Sequence, residues 1–321
     1  MPLRIQIVGP AAPGSRTGNR VTAQRWRNVL GSLGHNVRVT TAYDGRDVDL
    51  LIALHARKSA LAVRAFRKAH PTRPLIVALT GTDLYRDLPK NRSALCSLEL
   101  ADRLVLLQPA GRAALPREAR RKARVIYQSV EPPKRRRTPV RDAFEVCVIG
   151  HLRSVKDPFR TALAARRLPD SSRIRVIQIG GALQPRMESR ARGEEQRNGR
   201  YQWIGEQSRA RTLHRLARSR LMVISSRMEG GANVVGEAAT LGIPILASRV
   251  AGNVGLLGPR HPGYFEFGDT LALRDLLIRA ETEPGFYRRL RQTSERIAPL
   301  FRPARERRDW HSLLNTLRGK G

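Results

Sequence analysis

Glu229 and Glu237, with seven residues between them, bracket the run Gly230-Gly231-Ala232-Asn233-Val234-Val235-Gly236. The apolar segment 221–224 before it reads as a buried strand and 232–241 as a helix, which puts the glycine pair at a strand-to-helix turn. Free backbone N–H groups at such a turn, with the positive end of the helix dipole, suit a diphosphate, and glycine lets the ligand approach the main chain closely. Glu229 falls before the helix and Glu237 about one turn inside it. Both carboxylates can then accept hydrogen bonds from sugar hydroxyls at different depths of one site. The combination suits a nucleotide-sugar. An ordinary acidic surface helix shows the same spacing, so the rest of the chain has to decide.

Other strand ends carry further candidates. The segment 144–149 ends in Gly150-His151-Leu152-Arg153-Ser154-Val155-Lys156-Asp157-Pro158. Arg153 and Lys156 are two fixed cations beside a helix start, able to offset the charge on a departing diphosphate in the way a metal does elsewhere. In the first half, His55, Arg57 and Lys58 follow one strand and Thr80-Gly81-Thr82-Asp83 follow the next, at the expected ligand edge. A catalytic or binding role for His55 or Asp83 stands beside a purely structural one. The loop 9–20 lacks the G-x-G-x-x-G fingerprint and leads to a helix expected near Val21 or Thr22. It reads either as a turn or as a lid whose amides and Asn19 meet an anionic acceptor. Asp47-Val48-Asp49 has the form of a metal-binding pair but precedes its strand, at the opposite edge, and reads as a solvated turn.

The elements that must hold these residues alternate. Strands are expected at 3–8, 36–40, 49–54, 75–79, 104–107 and 125–127, then at 144–149, 174–179, 201–204, 221–224 and 245–247. Helical patterns at 158–168, 186–197, 209–218 and 232–241 lie between strands of the second series, and 284–317 is helical but broken by Pro299 and Pro303. The fold class is α/β, with two doubly wound parallel domains facing each other across a cleft. Their expected limits are 1–130 for the N-terminal acceptor domain, 131–142 for a Pro- and Arg-rich linker, and 143–300 for the nucleotide-sugar domain. A C-terminal helix at 301–321 is expected to pack back on the N-terminal domain.

Composition narrows the function classes. A net charge of +33 first raises nucleic-acid binding. Seven lysines against 53 arginines, scattered through nearly every segment, read instead as a compositional bias, and with 5% aromatic residues stacking platforms are scarce. No specific nucleic-acid partner is expected, although an anionic ligand is. No run approaches the roughly 18 apolar residues of a membrane span, and the first strand begins without a basic-apolar leader, so a soluble cytoplasmic protein without a membrane anchor is expected. Cys96 and Cys147, far apart among apolar neighbours, are expected to be buried thiols, not a disulfide or a zinc site.

Taken together, Lys156, the pair Glu229 and Glu237, and Ala247-Ser248-Arg249-Val250-Ala251-Gly252-Asn253 resemble the GT-B glycosyltransferases of family 4, the glycosyl transferases group 1, over nearly the whole chain. The resemblance implies two Rossmann-like domains and a nucleotide-sugar bound mainly by the second, with no metal and no cofactor. It gives Glu237 the ribose hydroxyls, Glu229 and the backbone of Gly230, Gly231, Ala232 and Asn233 the sugar, and Lys156 the diphosphate, with His151 on the donor side. Where that family usually has Gly-Arg-Leu, this chain has Gly150-His151-Leu152, and Arg153 can supply the guanidinium. The departure is similar to a narrower group, the SenB selenosugar synthases of selenoneine biosynthesis. It is carried by Gly150-His151-Leu152-Arg153 with Lys156-Asp157-Pro158, by Leu79-Thr80-Gly81-Thr82-Asp83-Leu84-Tyr85-Arg86, by Leu54-His55-Ala56-Arg57, and by Ser226-Arg227-Met228-Glu229-Gly230-Gly231.

That group joins selenophosphate to a UDP-sugar such as UDP-N-acetylglucosamine and releases UDP and phosphate. The implied partners are therefore these two substrates, with selenophosphate in the first domain. Selenophosphate is already anionic near neutral pH and its selenium is a soft nucleophile, so strong base catalysis is optional. Gly18, Asn19, Arg57, Thr82 and Arg86 are the candidates for holding the acceptor in line. The competing expectations are a family 4 enzyme with a hydroxyl acceptor and a basic nucleic-acid-binding protein on a degenerate transferase scaffold.

Overall fold

Strands such as Leu50–Leu54 and Leu75–Leu79 have no polar face and are buried along their whole length, as parallel strands with helices on both sides must be. The computed structural model describes residues 1–10, 14, 17–88, 90–131 and 142–318. Most of the expected linker, 132–141, lies outside these residues, as do five positions of the loop at 11–16 and the last three of the chain.

The chain forms two units: Met1–Ser129 with the residues from Arg302 onward, and Val130–Phe301. The first runs β1 (Arg4–Val8), α1 (Gly18–Ser32), β2 (Asn36–Thr40), β3 (Leu50–Leu54), α2 (Ala60–Ala69), β4 (Leu75–Leu79), α3 (Arg92–Leu100), β5 (Arg103–Leu106) and β6 (Ala123–Val125). The second begins β7 (Phe144–Ile149), α4 (Arg160–Ala165), β8 (Ile174–Ile179), α5 (Pro185–Arg197), β9 (Tyr201–Trp203), α6 (Arg209–Leu216) and β10 (Leu221–Ile224). It continues α7 (Asn233–Thr240), β11 (Ile245–Ser248), α8 (Ala251–Leu257), β12 (Tyr264–Phe265), α9 (Thr270–Thr282) and α10 (Pro284–Ile297), after which α11 (Pro303–Arg318) belongs to the first unit.

All strand pairs are parallel, in the orders β2-β1-β3-β4-β5-β6 and β12-β11-β10-β7-β8-β9. Each order reverses direction once, between β1 and β3 in the first sheet and between β7 and β10 in the second. Open parallel sheets take ligands above the carboxyl ends of the strands at such a reversal.

Helix α11 completes the first core. Its Trp310, Leu313, Leu314 and Leu317 form one apolar face and pack with Trp26 and Leu30 of α1. The Trp26 and Trp310 rings meet edge to face at 4.8 Å, both fully buried. At about 25 cal/mol per Å2 and roughly 200 Å2 per indole, this pair brings on the order of 10 kcal/mol of apolar burial before entropy is charged against it. Buried Glu306 ties the same helix down: its carboxylate accepts from Trp26 Nε1 at 3.0 Å and from the Ser129 backbone N–H at 2.8 Å.

Several expectations change. Helix α1 starts at Gly18, not near Val21, with Thr17 extended before it and its carbonyl accepting from the Val21 N–H. Glycine and asparagine are tolerated there because the first-turn N–H groups have no intrahelical partner in any case. Strand β6 lies at Ala123–Val125, two residues earlier than expected, paired with β5 from Leu104 to Leu106. Cys147 is fully buried and its thiol is pushed up to about 12, mainly by burial, whereas Cys96 is only half-buried. Asp47 and Asp49 form ion pairs with Arg4, and Asp47 also with Arg73. No helix among the described residues is long and apolar enough to cross a membrane.

Candidate functional site

Above the reversal of the second sheet stand the loops after β7 and β10, and they are sewn together. The Arg227 N–H donates to the Val155 carbonyl at 2.9 Å, and the buried Ser225 hydroxyl donates to the Asp157 carbonyl at 2.9 Å. Residues Ser154–Lys156 form one 3-10 turn, closed by Asp157 in the left-handed region at φ 44°, whose carboxylate pairs with Arg160 Nε at 2.7 Å. Asparagine and aspartate take that conformation more readily than most residues because their short polar side chains bond locally. The turn delivers Lys156 Nζ to 2.6 Å from Glu229 Oε1. Glu229 is buried and the Lys156 side chain one-third exposed, so the ammonium keeps donors available for a ligand.

A second layer fixes the Glu229 loop from behind. The Asn253 amide donates to the Ser248 carbonyl and the Ser248 hydroxyl donates to the Ser226 carbonyl at 2.6 Å, all three residues being buried. Gly252 presses on Glu229 directly: a Cβ there would lie 2.0 Å from the Glu229 carbonyl oxygen. Gly252→Ala is therefore expected to displace the loop, costing about 1–3 kcal/mol of stability. Thermal melts check this, and an unchanged midpoint would show that the loop makes room for the methyl group.

Glu237 lies in α7 one turn beyond Asn233, buried, with Arg209 Nη2 at 3.4 Å from its Oε1. Gly230 and Ala232 are buried, whereas Gly231 and Asn233 are partly open. His151 and Glu206 both border Gly181, each with an atom within 3.5 Å of where a Gly181 Cβ would stand. Arg153 is exposed; its carbonyl accepts from the Lys156 N–H at 2.9 Å, and among the described residues no side-chain bond joins it to Lys156 or Glu229. Among the described residues no group of three His, Cys, Asp or Glu side chains could hold a metal ion.

At the corresponding edge of the first sheet, His55 and Asp83 turn inward. His55 is buried with φ 74°, a left-handed conformation uncommon outside glycine. Its Nδ1 accepts from the Lys58 N–H at 3.3 Å, which places the ring proton on Nε2, 3.1 Å from Thr82 Oγ1. Burial lowers the His55 pKa and raises that of Asp83, opposed in both cases by their mutual attraction. Asp83 is fully buried, accepting from the backbone N–H groups of Ala56, Thr80 and Gly81 at 2.8 to 3.0 Å. Neither residue has a polar atom left over for solvent.

The residue that gathers the outer groups is Asp87, four positions after Asp83 on the π-helical turn Asp83–Asp87. It contacts Arg57 Nε at 2.9 Å, Arg86 Nε at 3.2 Å and His55 Nε2 at 3.8 Å. Thr82, Arg57 and Arg86 thus meet in one cluster. Gly18 and Asn19 lie on the first turn of α1, which follows the neighbouring strand β1. Asp87, Arg209 and the role of Gly252 were not legible beforehand.

Comparison with known proteins agrees with this architecture. Residues 131–296, just over half of the chain, match the family described as glycosyl transferases group 1. No curated protein sequence matches. Among solved structures, HepE of Anabaena in complex with UDP and glucose superposes with a TM-score of 0.77 at 17% identity, covering 98% of this chain and 100% of that one. A sucrose-phosphate synthase of Thermosynechococcus elongatus gives a TM-score of 0.78 at 16% identity, with 99% of each chain covered. At such identities the likeness speaks to the fold, which is GT-B, two Rossmann-like α/β domains. Because the family match covers the very loops that bring Lys156 to Glu229, and the likeness of fold extends over the whole length, the chain belongs to the glycosyl transferases group 1.

Proposed function

We propose that this protein is a selenosugar synthase: it transfers the sugar of a UDP-sugar, UDP-N-acetylglucosamine by the resemblance, to the selenium of selenophosphate. The observation that carries the donor half is the Lys156–Glu229 pair beside the start of α7, in the unit that matches the family. UDP as the nucleotide is supported by the complex of HepE with UDP and glucose. The selenium half rests on the resemblance of the sequence segments given above to the SenB group and on the Arg57–Asp87–Arg86 cluster, which suits an anionic acceptor.

In the transfer, selenium attacks the anomeric carbon, a C–Se bond forms, the C1–O bond breaks, and its electron pair leaves on the diphosphate. The anomeric carbon gains oxocarbenium character as this happens, so the main demand is for positive charge at the departing oxygens. Lys156 and the N–H groups opening α7 meet it. Glu237 holds the ribose hydroxyls, while Glu229 orients both the sugar and the Lys156 ammonium. His151 borders the donor, and Arg153 reaches the diphosphate from the exposed turn. Water then splits the P–Se bond of the product, releasing phosphate. No metal and no cofactor enters this scheme. His55 and Asp83 shape the acceptor edge from beneath; Thr82, Arg57 and Arg86, with Gly18 and Asn19, hold the acceptor.

The deciding experiment incubates the protein with UDP-N-acetylglucosamine and selenophosphate and looks by mass spectrometry for a sugar bearing selenium, with UDP released in equal amount. UDP release only in the presence of sugar or lipid hydroxyls would establish a conventional glycosyltransferase instead.

A further inference from the structure

We propose that Asp87 is a positioning residue that braces the Arg57 and Arg86 guanidiniums as a pair for a tetrahedral oxyanion of the phosphate class. The inference rests on the anionic-acceptor reading above and supplies the residue that makes that site a built one. Two guanidiniums repel each other and, on flexible stems, would separate; here each has its Nε against a different oxygen of one carboxylate, Arg57 at 2.9 Å and Arg86 at 3.2 Å. Asp87 is 6% exposed, whereas the Arg57 and Arg86 side chains are 41% and 59% exposed. The anchor is therefore inside and the cations outside.

Contact through Nε leaves the Nη edges of both arginines available, and no hydrogen bond from either edge to a protein group is found among the described residues. A guanidinium edge fits two oxygens of a phosphate in parallel, which a lysine cannot imitate. Charge favours the same ligand. Arg57, Arg86 and Lys58 outnumber Asp87 at this edge, even with Asp83 counted as ionised. At the opposite edge of the sheet, by contrast, Arg4 and Arg73 are matched by Asp47 and Asp49. Asp87 itself is held in place by the π-helical turn, with Asp83 at its start locked onto three backbone N–H groups.

Bracing and simple electrostatics predict opposite signs. Asp87→Asn keeps the shape and removes a negative charge, so if the carboxylate acted only through its field, inorganic phosphate would bind more tightly. Bracing predicts the reverse: about tenfold weaker binding in calorimetric titration of the full chain, although the edge has become more positive, with part of the affinity recovered by Asp87→Glu. Equal or tighter phosphate binding by Asp87→Asn, at an unchanged thermal midpoint, would overturn the proposal. So would a wild-type chain that binds phosphate no better than the Arg57→Ala, Arg86→Ala double variant. Should Asp87→Asn fail to fold, Arg86→Lys decides: the charge is kept, but lysine has no Nε–H to set against Asp87, so weaker binding supports bracing and undiminished binding refutes it. UDP titration of the same samples separates the two readings, since loss of UDP binding in the wild type overturns the donor assignment while the phosphate comparison stands.

Discussion

Lys156→Ala is expected to lower turnover by about 100- to 1,000-fold while the protein keeps its fold. The magnitude is that of removing one preorganised group aimed at developing negative charge, about 3–4 kcal/mol of transition-state stabilisation. Lys156 is half of a close pair with Glu229, and its removal also leaves that buried carboxylate uncompensated where the departing diphosphate is proposed to lie. The rate of UDP release under saturating substrates measures the effect. Lys156→Arg should recover little, because the turn Ser154–Lys156 fixes the stem for a compact ammonium and a guanidinium is longer and planar. In the same assay His55→Ala should keep a measurable rate, since both imidazole nitrogens are already engaged within the protein. Full activity in Lys156→Ala would remove the charge-stabilising role assigned to it.

The second large effect is expected at Glu237. Loss of a carboxylate accepting from the ribose hydroxyls costs about 3 kcal/mol, or roughly 100-fold in UDP affinity. Pyrophosphate, which lacks the ribose, should bind Glu237→Ala as well as it binds the wild type. Lys156→Ala should show the opposite pattern, losing pyrophosphate and UDP alike. Titrations of the two ligands against the two variants therefore assign ribose and diphosphate to separate residues. Parallel losses for both ligands in Glu237→Ala would mean that this glutamate supports the loop and does not meet the nucleotide. Its contact with Arg209 at 3.4 Å gives such a structural role a mechanism, so the comparison is a real one.

Much of the architecture could be read in advance because parallel strands buried on both faces leave uninterrupted apolar runs. Strands such as Leu50–Leu54 and Leu75–Leu79 fall where such runs do, while the edge strand Asn36–Thr40 alternates and is only partly buried. Short elements at sheet margins were less legible. Strand β12 has two residues, too few for any pattern, and α8 has glycine at its second and fifth positions, which mimics a loop. Helix α9 was missed despite a usable signal: the Asp269 side chain caps it by accepting from the Ala272 N–H. The candidate site divides in the same way. Lys156 and Glu229 stood out because their loops leave strands that prove adjacent across the reversal of the sheet. Asp87 did not stand out, because a buried aspartate bridging two exposed arginines has no linear pattern of its own. Its meaning comes from β3 and β4 lying side by side, which brings residues 55–58 against residues 82–87.

The return of α11 to the first unit bears on how the polypeptide is made. Residues 130–301 are contiguous in sequence, but the earlier-synthesised segment Met1–Ser129 lacks the Trp310 ring and the Glu306 carboxylate until the residues beyond Phe301 have been made. For most of translation, then, Trp26 and its neighbours on α1 have an open apolar flank, and a premature stop anywhere between residue 301 and Trp310 would cripple the beginning of the protein, not its end.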